Sequence, residues 1–446
     1  MDLKAFIRRN QLKLSDALRY SRAAREAAGW MWLGRGLLAR DPVQRGSCLA
    51  RAVSFAWSRT LVDLCARMLH ANPGIEGAAE VWSRVVRGLP RYRELIKTRP
   101  LLDRSIVLKA PGAQGEKGVL LMTFEYNWAR LLLGLSDEEF RWIDEHFDLV
   151  LSTSWSPTDY AVLALALSKV KGMIFVQSCN YSEIETIERF DPRLKCLATL
   201  PCDWINPALY QPRPAAERTT DIVMVANWGE FKRHWDLFRA LALMPASLKV
   251  VLIGQKEGGR TIETLRSLAR DFGVPQQLEF IESVPIEEVA RQQCQAKVSL
   301  IMTRREGCCV AAVESLFAGC ALAMRDDAHV GPLDYINERT GRRLRASHLA
   351  DDLMSLIAAA ERLEPREWAI EHVAGEVSRL KLDALLEQHA RSKGLPWTQG
   401  VIQPQWRPHP TFANPEDREA MRPVYDQLAQ RFPQVFGPAL ITESWR

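Results

Sequence analysis

Glu306 and Glu314 stand eight positions apart in the run Glu306-Gly307-Cys308-Cys309-Val310-Ala311-Ala312-Val313-Glu314, which continues through Ser315, Leu316 and Phe317 to Gly319. A short apolar run, Val298–Met302, precedes the first carboxylate, and Cys320–Met324 follows the glycine. The pattern predicts a strand, an acidic turn, a helix over 308–318 and a second strand. The first turn of such a helix leaves backbone N–H groups unpaired, here at Gly307, Cys308 and Cys309, and an N-terminus of this kind attracts phosphate. One carboxylate is then available to hydroxyls of a transferred group and the other to those of a ribose. Without a ligand, Glu306 would serve only as a first-turn partner of the helix dipole.

Two further loops follow predicted strands. The first, Ala226-Asn227-Trp228-Gly229-Glu230-Phe231-Lys232-Arg233, places two cations where a helix begins, a placement suited to a diphosphate, with Gly229 permitting close backbone approach. The second, Gly254-Gln255-Lys256-Glu257-Gly258-Gly259, is rich in glycine but common in kind.

The elements that must position these residues alternate in type. Ile222–Val225, Leu248–Ile253, Leu278–Ile281, Val298–Met302 and Ala321–Met324 read as strands separated by helices near 232–243, 260–272, 286–294 and 308–318. Short buried strands with helical crossovers define a doubly wound α/β sheet whose ligands gather at the C-terminal ends of the strands. An earlier alternation has strands at Ser105–Lys109, Gly118–Phe124, Asp148–Thr153, Gly172–Gln177 and Cys196–Leu200. The stretch Asn206-Pro207 to Gln211-Pro212-Arg213-Pro214 reads as a linker between two such α/β domains, with a ligand cleft expected between them. Four segments result: a helical, basic region 1–100; an α/β domain 101–213; a second α/β domain 214–390; and a Pro- and Trp-rich tail 391–446 with one helix.

Composition narrows the partners. With 47% hydrophobic and 25% charged residues and a formal charge of +5, the chain is of ordinary globular type and no nucleic-acid partner is implied. Residues 1–60 are the exception, with twelve Lys/Arg against four Asp/Glu and with Trp30, Trp32, Phe55 and Trp57. A basic, tryptophan-bearing amphipathic segment suits an anionic membrane surface; the competing reading packs its apolar stripe on the fold. Pro42 and Pro73 punctuate that region. No apolar run reaches the ~18–20 residues of a membrane-spanning helix. Arg8, Arg9, Lys13 and Asp16 interrupt any signal-peptide core, so a cytoplasmic location is expected. Nine cysteines without paired spacing predict reduced thiols and no zinc site.

In this setting the Glu-x7-Glu element resembles the donor-site signature of retaining glycosyltransferases of the GT-B fold (family 4, also called glycosyltransferase group 1). The stretch Leu200-Pro201-Cys202-Asp203 to Tyr210-Gln211-Pro212 resembles that family's approach to its interdomain hinge, and Asn337-Glu338-Arg339-Thr340-Gly341 its Thr-Gly turn. The likeness covers roughly residues 196–360. It implies two Rossmann-like domains and a hexosyl-type transfer from a nucleoside-diphosphate sugar to a glycan or lipid-linked hydroxyl acceptor. Glu306 would meet the donor sugar, Glu314 the ribose and Lys232 the diphosphate, with Asn227, Gly229, Arg233, Gly254 and Gly307–Cys309 around them. No cofactor or metal is implied. Asn227 replaces the family's arginine, so Arg233 or another cation must complete the cationic clamp, or the site is weaker. No acceptor histidine or glycine-rich acceptor loop is found; Asn127, Trp155 and Asn180 stand at the matching strand ends. Readings outside this class are a nucleotide-sugar epimerase and a degenerate module that binds without turnover.

Overall fold

The computed structural model describes residues 3–72, 77–93, 105–407 and 409–436. Pro73 lies outside them. The chain divides into two units: Arg22–Trp204 with Gly375–Arg446, and Met1–Ser21 with Ile205–Ala374. The helical N-terminal region expected as one piece is therefore shared, and the C-terminal tail belongs with the earlier α/β segment.

In the first of these units, β1 (Ser105–Lys109), β2 (Gly118–Thr123), β3 (Phe147–Ser152), β4 (Ile174–Gln177) and β5 (Leu194–Cys196) lie side by side in chain order. β1 runs antiparallel to β2 and the other pairings are parallel. β1 to β4 are buried at every position, which explains their largely apolar runs, with Lys109 and Asp148 the buried charges among them. Helix starts follow local chemistry. Asp41 and Ser58 cap the helices Pro42–Phe55 and Arg59–Ala71, and Ser136 with Glu139 forms a capping box before Asp137–His146. The C-terminal helices Gly375–Ser392 and Pro415–Arg431 add Leu382, Leu386, Tyr425 and Leu428 to the same core. The expected strand Cys196–Leu200 ends early, because Asp203 accepts from the Leu200 N–H (2.8 Å) and tightens the chain into a turn at Pro201.

The second unit holds a six-stranded, fully parallel sheet of β6 (Thr220–Val225), β7 (Val250–Gly254), β8 (Leu278–Glu282), β9 (Ala296–Ile301), β10 (Ala321–Arg325) and β11 (Gly341–Leu344), in the order β11-β10-β9-β6-β7-β8. The chain moves outward from β6 to β8, then crosses back to β9 and moves outward the other way. The loops after β6 and β9 diverge, and that divergence opens a crevice at the C-terminal edge of the sheet. The helix Leu3–Tyr20 also packs on this unit through buried Leu12, and Arg8 pairs with Asp271 at 3.0 Å.

Among the described residues, no helix is long and apolar enough to cross a membrane, and no group of three or more His, Cys, Asp or Glu side chains is placed to hold a metal ion.

Candidate active site

The crevice between the β6 and β9 loops is a pocket of about 390 Å³, built wholly within the second unit. Val225, Ala226, Asn227 and Lys232 line one wall, and Glu306, Cys308, Cys309, Val310 and Ala311 the other. Lys232 Nζ lies 2.5 Å from Glu306 Oε1, and both side chains are largely buried. The other carboxylate oxygen, Oε2, is buried without a hydrogen-bond partner. A ligand hydroxyl donating there would satisfy it. Burial opposes the charge on Lys232, but the facing Glu306 outweighs it and holds the lysine pKa above its ordinary value.

Each loop is held from behind. Trp228 is fully buried and donates Nε1–H to Glu282 (2.8 Å), which pins the β6 loop to the end of β8. Gly254 has no room for a side chain, since a Cβ there would collide with the carbonyl oxygen of Ala226. Across the crevice, the Glu306 N–H donates to His329 (3.2 Å) and the Gly331 N–H to Gly307 (3.2 Å). The helix Val310–Phe317 then starts at Cys309 with no side chain capping it, so its first N–H groups stand beside the pocket-lining Cys308 and Cys309. Burial pushes the Cys309 thiol up to about 12, and Glu306 adds to the shift.

Lys232, Asn227, Gly254, Glu306, Cys308 and Cys309 thus come together in one pocket. Other expected residues do not. Arg233 is no part of a clamp: its backbone turns left-handed (φ 60°) and its guanidinium is buried against Asp236 (2.7 Å), Asp16 and the Trp235 ring. Burial lowers its pKa to about 10 despite Asp236. Gly229 does not line the pocket; its N–H donates to Asn227 Oδ1 (3.1 Å) in a tight turn against Phe231. Glu314 is likewise absent from the pocket wall. It is buried, it accepts a hydrogen bond from the Tyr210 hydroxyl, and burial pushes its pKa up to about 7.

The acceptor-side candidates sit in the other unit as structural residues. Asn127 is fully buried and donates to the Thr123 carbonyl (2.8 Å), so it cannot meet an acceptor. Buried Asn180 caps the turn that follows it by accepting from the Ser182 N–H (3.0 Å). Trp155 is half-buried against Tyr92, with ring centroids 5.9 Å apart.

Gln255, from the anticipated glycine-rich loop, also lines the pocket, as do Ser283, Val284 and Val289, which were not anticipated. In a parallel sheet every loop that leaves a C-terminal strand end reaches the same edge, so the loop after β8 was inferable from topology alone. Ser283 takes a left-handed backbone (φ 56°) while its N–H donates to Gly254 (2.8 Å).

Residues 208–372 match the family model of glycosyl transferases group 1, and the matched stretch contains every residue that lines the pocket. Among solved structures, the chain is similar to a sucrose-phosphate synthase from Thermosynechococcus elongatus, at 16% identity and TM-score 0.48, over 61% of this chain and 74% of that one. Anabaena HepE in complex with UDP matches at 12% identity and TM-score 0.48, over 60% and 78% of the two chains. The pneumococcal O-GlcNAc transferase GtfA in complex with UDP and GlcNAc matches at 13% identity and TM-score 0.43, over 56% and 54%. No curated protein matches the sequence.

Proposed function

We propose that this protein is a glycosyltransferase that moves a hexose from a nucleoside-diphosphate sugar to a hydroxyl of a glycan or lipid-linked glycan, with retention of configuration at the anomeric carbon. The observation that carries the reading is the Lys232–Glu306 pair, set in a pocket at the uncapped start of helix Val310–Phe317. A diphosphate placed there meets the lysine ammonium and the helix N–H groups, and these offset the charge that grows on the departing phosphate. Glu306 Oε2 is left to accept from a sugar hydroxyl. In the transfer step the acceptor oxygen bonds to the anomeric carbon as the bond from that carbon to the phosphate oxygen breaks. The released nucleoside diphosphate takes the acceptor proton on the same face. Because Lys232 and the helix start supply positive charge, the reading calls for no metal and no cofactor beyond the donor.

We extend the reading to place: the cytoplasmic, inner face of a membrane, approached through residues 1–60. Support comes from helix Arg22–Leu38, which exposes Trp30, Met31, Leu37 and Leu38. One observation favours a module that binds a nucleotide sugar without turnover. With Asn227 in the pocket wall and Arg233 buried elsewhere, Lys232 is the one cationic side chain lining the pocket among the described residues.

The test is binding, hydrolysis and transfer measured across UDP-, GDP- and ADP-sugars, with Lys232→Ala and Glu306→Ala. Transfer that collapses in both variants supports the assignment. Binding without turnover by the wild type supports the module, and the absence of any nucleotide-sugar binding removes the proposal.

A further inference from the structure

We infer that a groove between the N-terminal helix and the turn after Arg239 binds the headgroups of anionic phospholipids, and that the outer face of helix Leu3–Tyr20 lies in the bilayer surface. The inference rests on the membrane-surface part of the reading above and is independent of the transfer chemistry.

The groove encloses about 350 Å³, and no acidic residue lines it. Arg9 and Lys13 project into it from successive turns of the helix, Arg239 faces them, and Phe6, Leu243 and Phe272 supply apolar wall. Neither Arg9 nor Lys13 has a carboxylate partner among the described residues. Arg239 uses Nε and Nη2 on Asp236 and the Ala346 carbonyl. Two like charges four residues apart on a helix repel, so an anion in the groove relieves a strain that the protein alone leaves in place.

The helix itself identifies the source of that anion. At 3.6 residues per turn, Phe6, Leu3, Leu14, Ile7 and Leu18 fall on one side, and all five are exposed. Only Asn10 and Ala17 lie among them, so the stripe carries no charge. The one acidic residue of the helix, Asp16, lies off the stripe and pairs with Arg233 and Arg304. An uncharged stripe beside unpaired cations is the pattern of a helix that lies in a lipid interface, with apolar side chains among the acyl chains and cations at the phosphates. Inorganic phosphate would engage the cations and leave the stripe in water; a bilayer engages both.

The experiment is co-sedimentation of the full chain with phosphatidylcholine vesicles, with and without phosphatidylglycerol, in low and high salt. The wild type is expected to pellet only with the anionic vesicles and to be released by salt. Arg9→Gln with Lys13→Gln is expected to weaken binding roughly thirty-fold. Leu14→Gln with Leu18→Gln is expected to abolish it. Lys13, Leu14 and Leu18 are exposed and Arg9 is half-buried over the Phe272 ring, so retention of the fold is checked for each variant by thermal melting. Equal pelleting with both lipids, no pelleting, or no effect of the charge variant overturns the inference. So does calorimetric binding of inorganic phosphate without vesicle binding, which would make the groove a site for a soluble anion.

Discussion

The carboxylate of Asp16, on the N-terminal helix, is paired with the guanidinium of Arg233, the residue next to Lys232. Asp16 also meets Arg304, at 3.4 Å, two residues before Glu306. Around them Asp236, Arg325 and Asp327 close a largely buried network of alternating charge. Arg233 takes a left-handed backbone that only surrounding contacts maintain in a residue with a side chain. Lys232, the residue just before this turn, lines the pocket. Asp16 is thus expected to act as a positioning residue for a pocket it does not line.

Replacing Asp16 with Asn leaves Arg233 and Arg304 short of one negative charge. The expected cost in stability is roughly 2 kcal/mol, below the ~3–5 of a fully buried pair because the Asp16 side chain keeps 13% of its exposure. Affinity for pyrophosphate, read by calorimetry, should fall roughly ten-fold, and Asp16→Glu should restore part of it. Arg8→Ala loosens the same helix from Asp271 without touching the network. Equal loss of pyrophosphate affinity in Arg8→Ala and Asp16→Asn would mean that helix docking alone matters.

Gly254→Ala tests how the β6 loop is held. The new methyl group has no room against the Ala226 carbonyl and the Trp228 ring, so the loop that carries Lys232 must shift. A loss of about 1–3 kcal/mol in unfolding free energy is expected, with nucleotide binding impaired beyond what the lost stability explains. Binding unchanged in a folded variant would show that the loop does not need this contact.

Much of the parallel sheet was legible because its buried strands carry short apolar runs between turn signals, such as Val298–Met302 and Val250–Ile253, although the second begins two residues later than the expected Leu248. β11 was not, since Gly341-Arg342-Arg343-Leu344 is an edge strand with two exposed arginines and no apolar run. Lys232 and Glu306 were legible from type and spacing. Arg233 was misplaced because nothing in a Lys-Arg pair announces the left-handed turn that sends the second side chain inward. Asn127 and Asn180 show the same limit, since strand ends are visible in sequence but the burial of each amide is decided by the elements packed over it. The division of the helical N-terminus is tertiary in origin too; the periodicity of residues 3–20 does not say which unit receives Leu12.

Cys308 offers a chemical probe of the pocket. It is the one cysteine of nine that is not buried, and it lines the wall opposite Lys232. N-ethylmaleimide should modify it before the others, and the bound nucleotide sugar should slow that reaction. In Cys308→Ser the fast phase should vanish in a thiol count followed by mass spectrometry. Fast labelling that the bound nucleotide leaves unprotected would place the donor elsewhere.

Glu314 carries a pH prediction of definite sign. Burial raises its folded pKa to about 7 from the ordinary carboxylate value of 4.5, and the Tyr210 hydroxyl only partly offsets that shift. In the unfolded chain the group ionises near the ordinary value, so between the two values the folded state binds more protons. Its contribution to stability is therefore complete below pH ~4.5 and is lost as the pH rises through about 7. Over that window the loss is on the order of 3 kcal/mol for this one group. Glu314→Gln keeps an acceptor for Tyr210 and cannot ionise, so the variant should gain on the wild type as pH rises from 5 to 8. Denaturant unfolding at both pH values measures the difference. A gap that stays constant with pH would show that Glu314 is ionised throughout, with its charge stabilised by more than the single Tyr210 hydrogen bond.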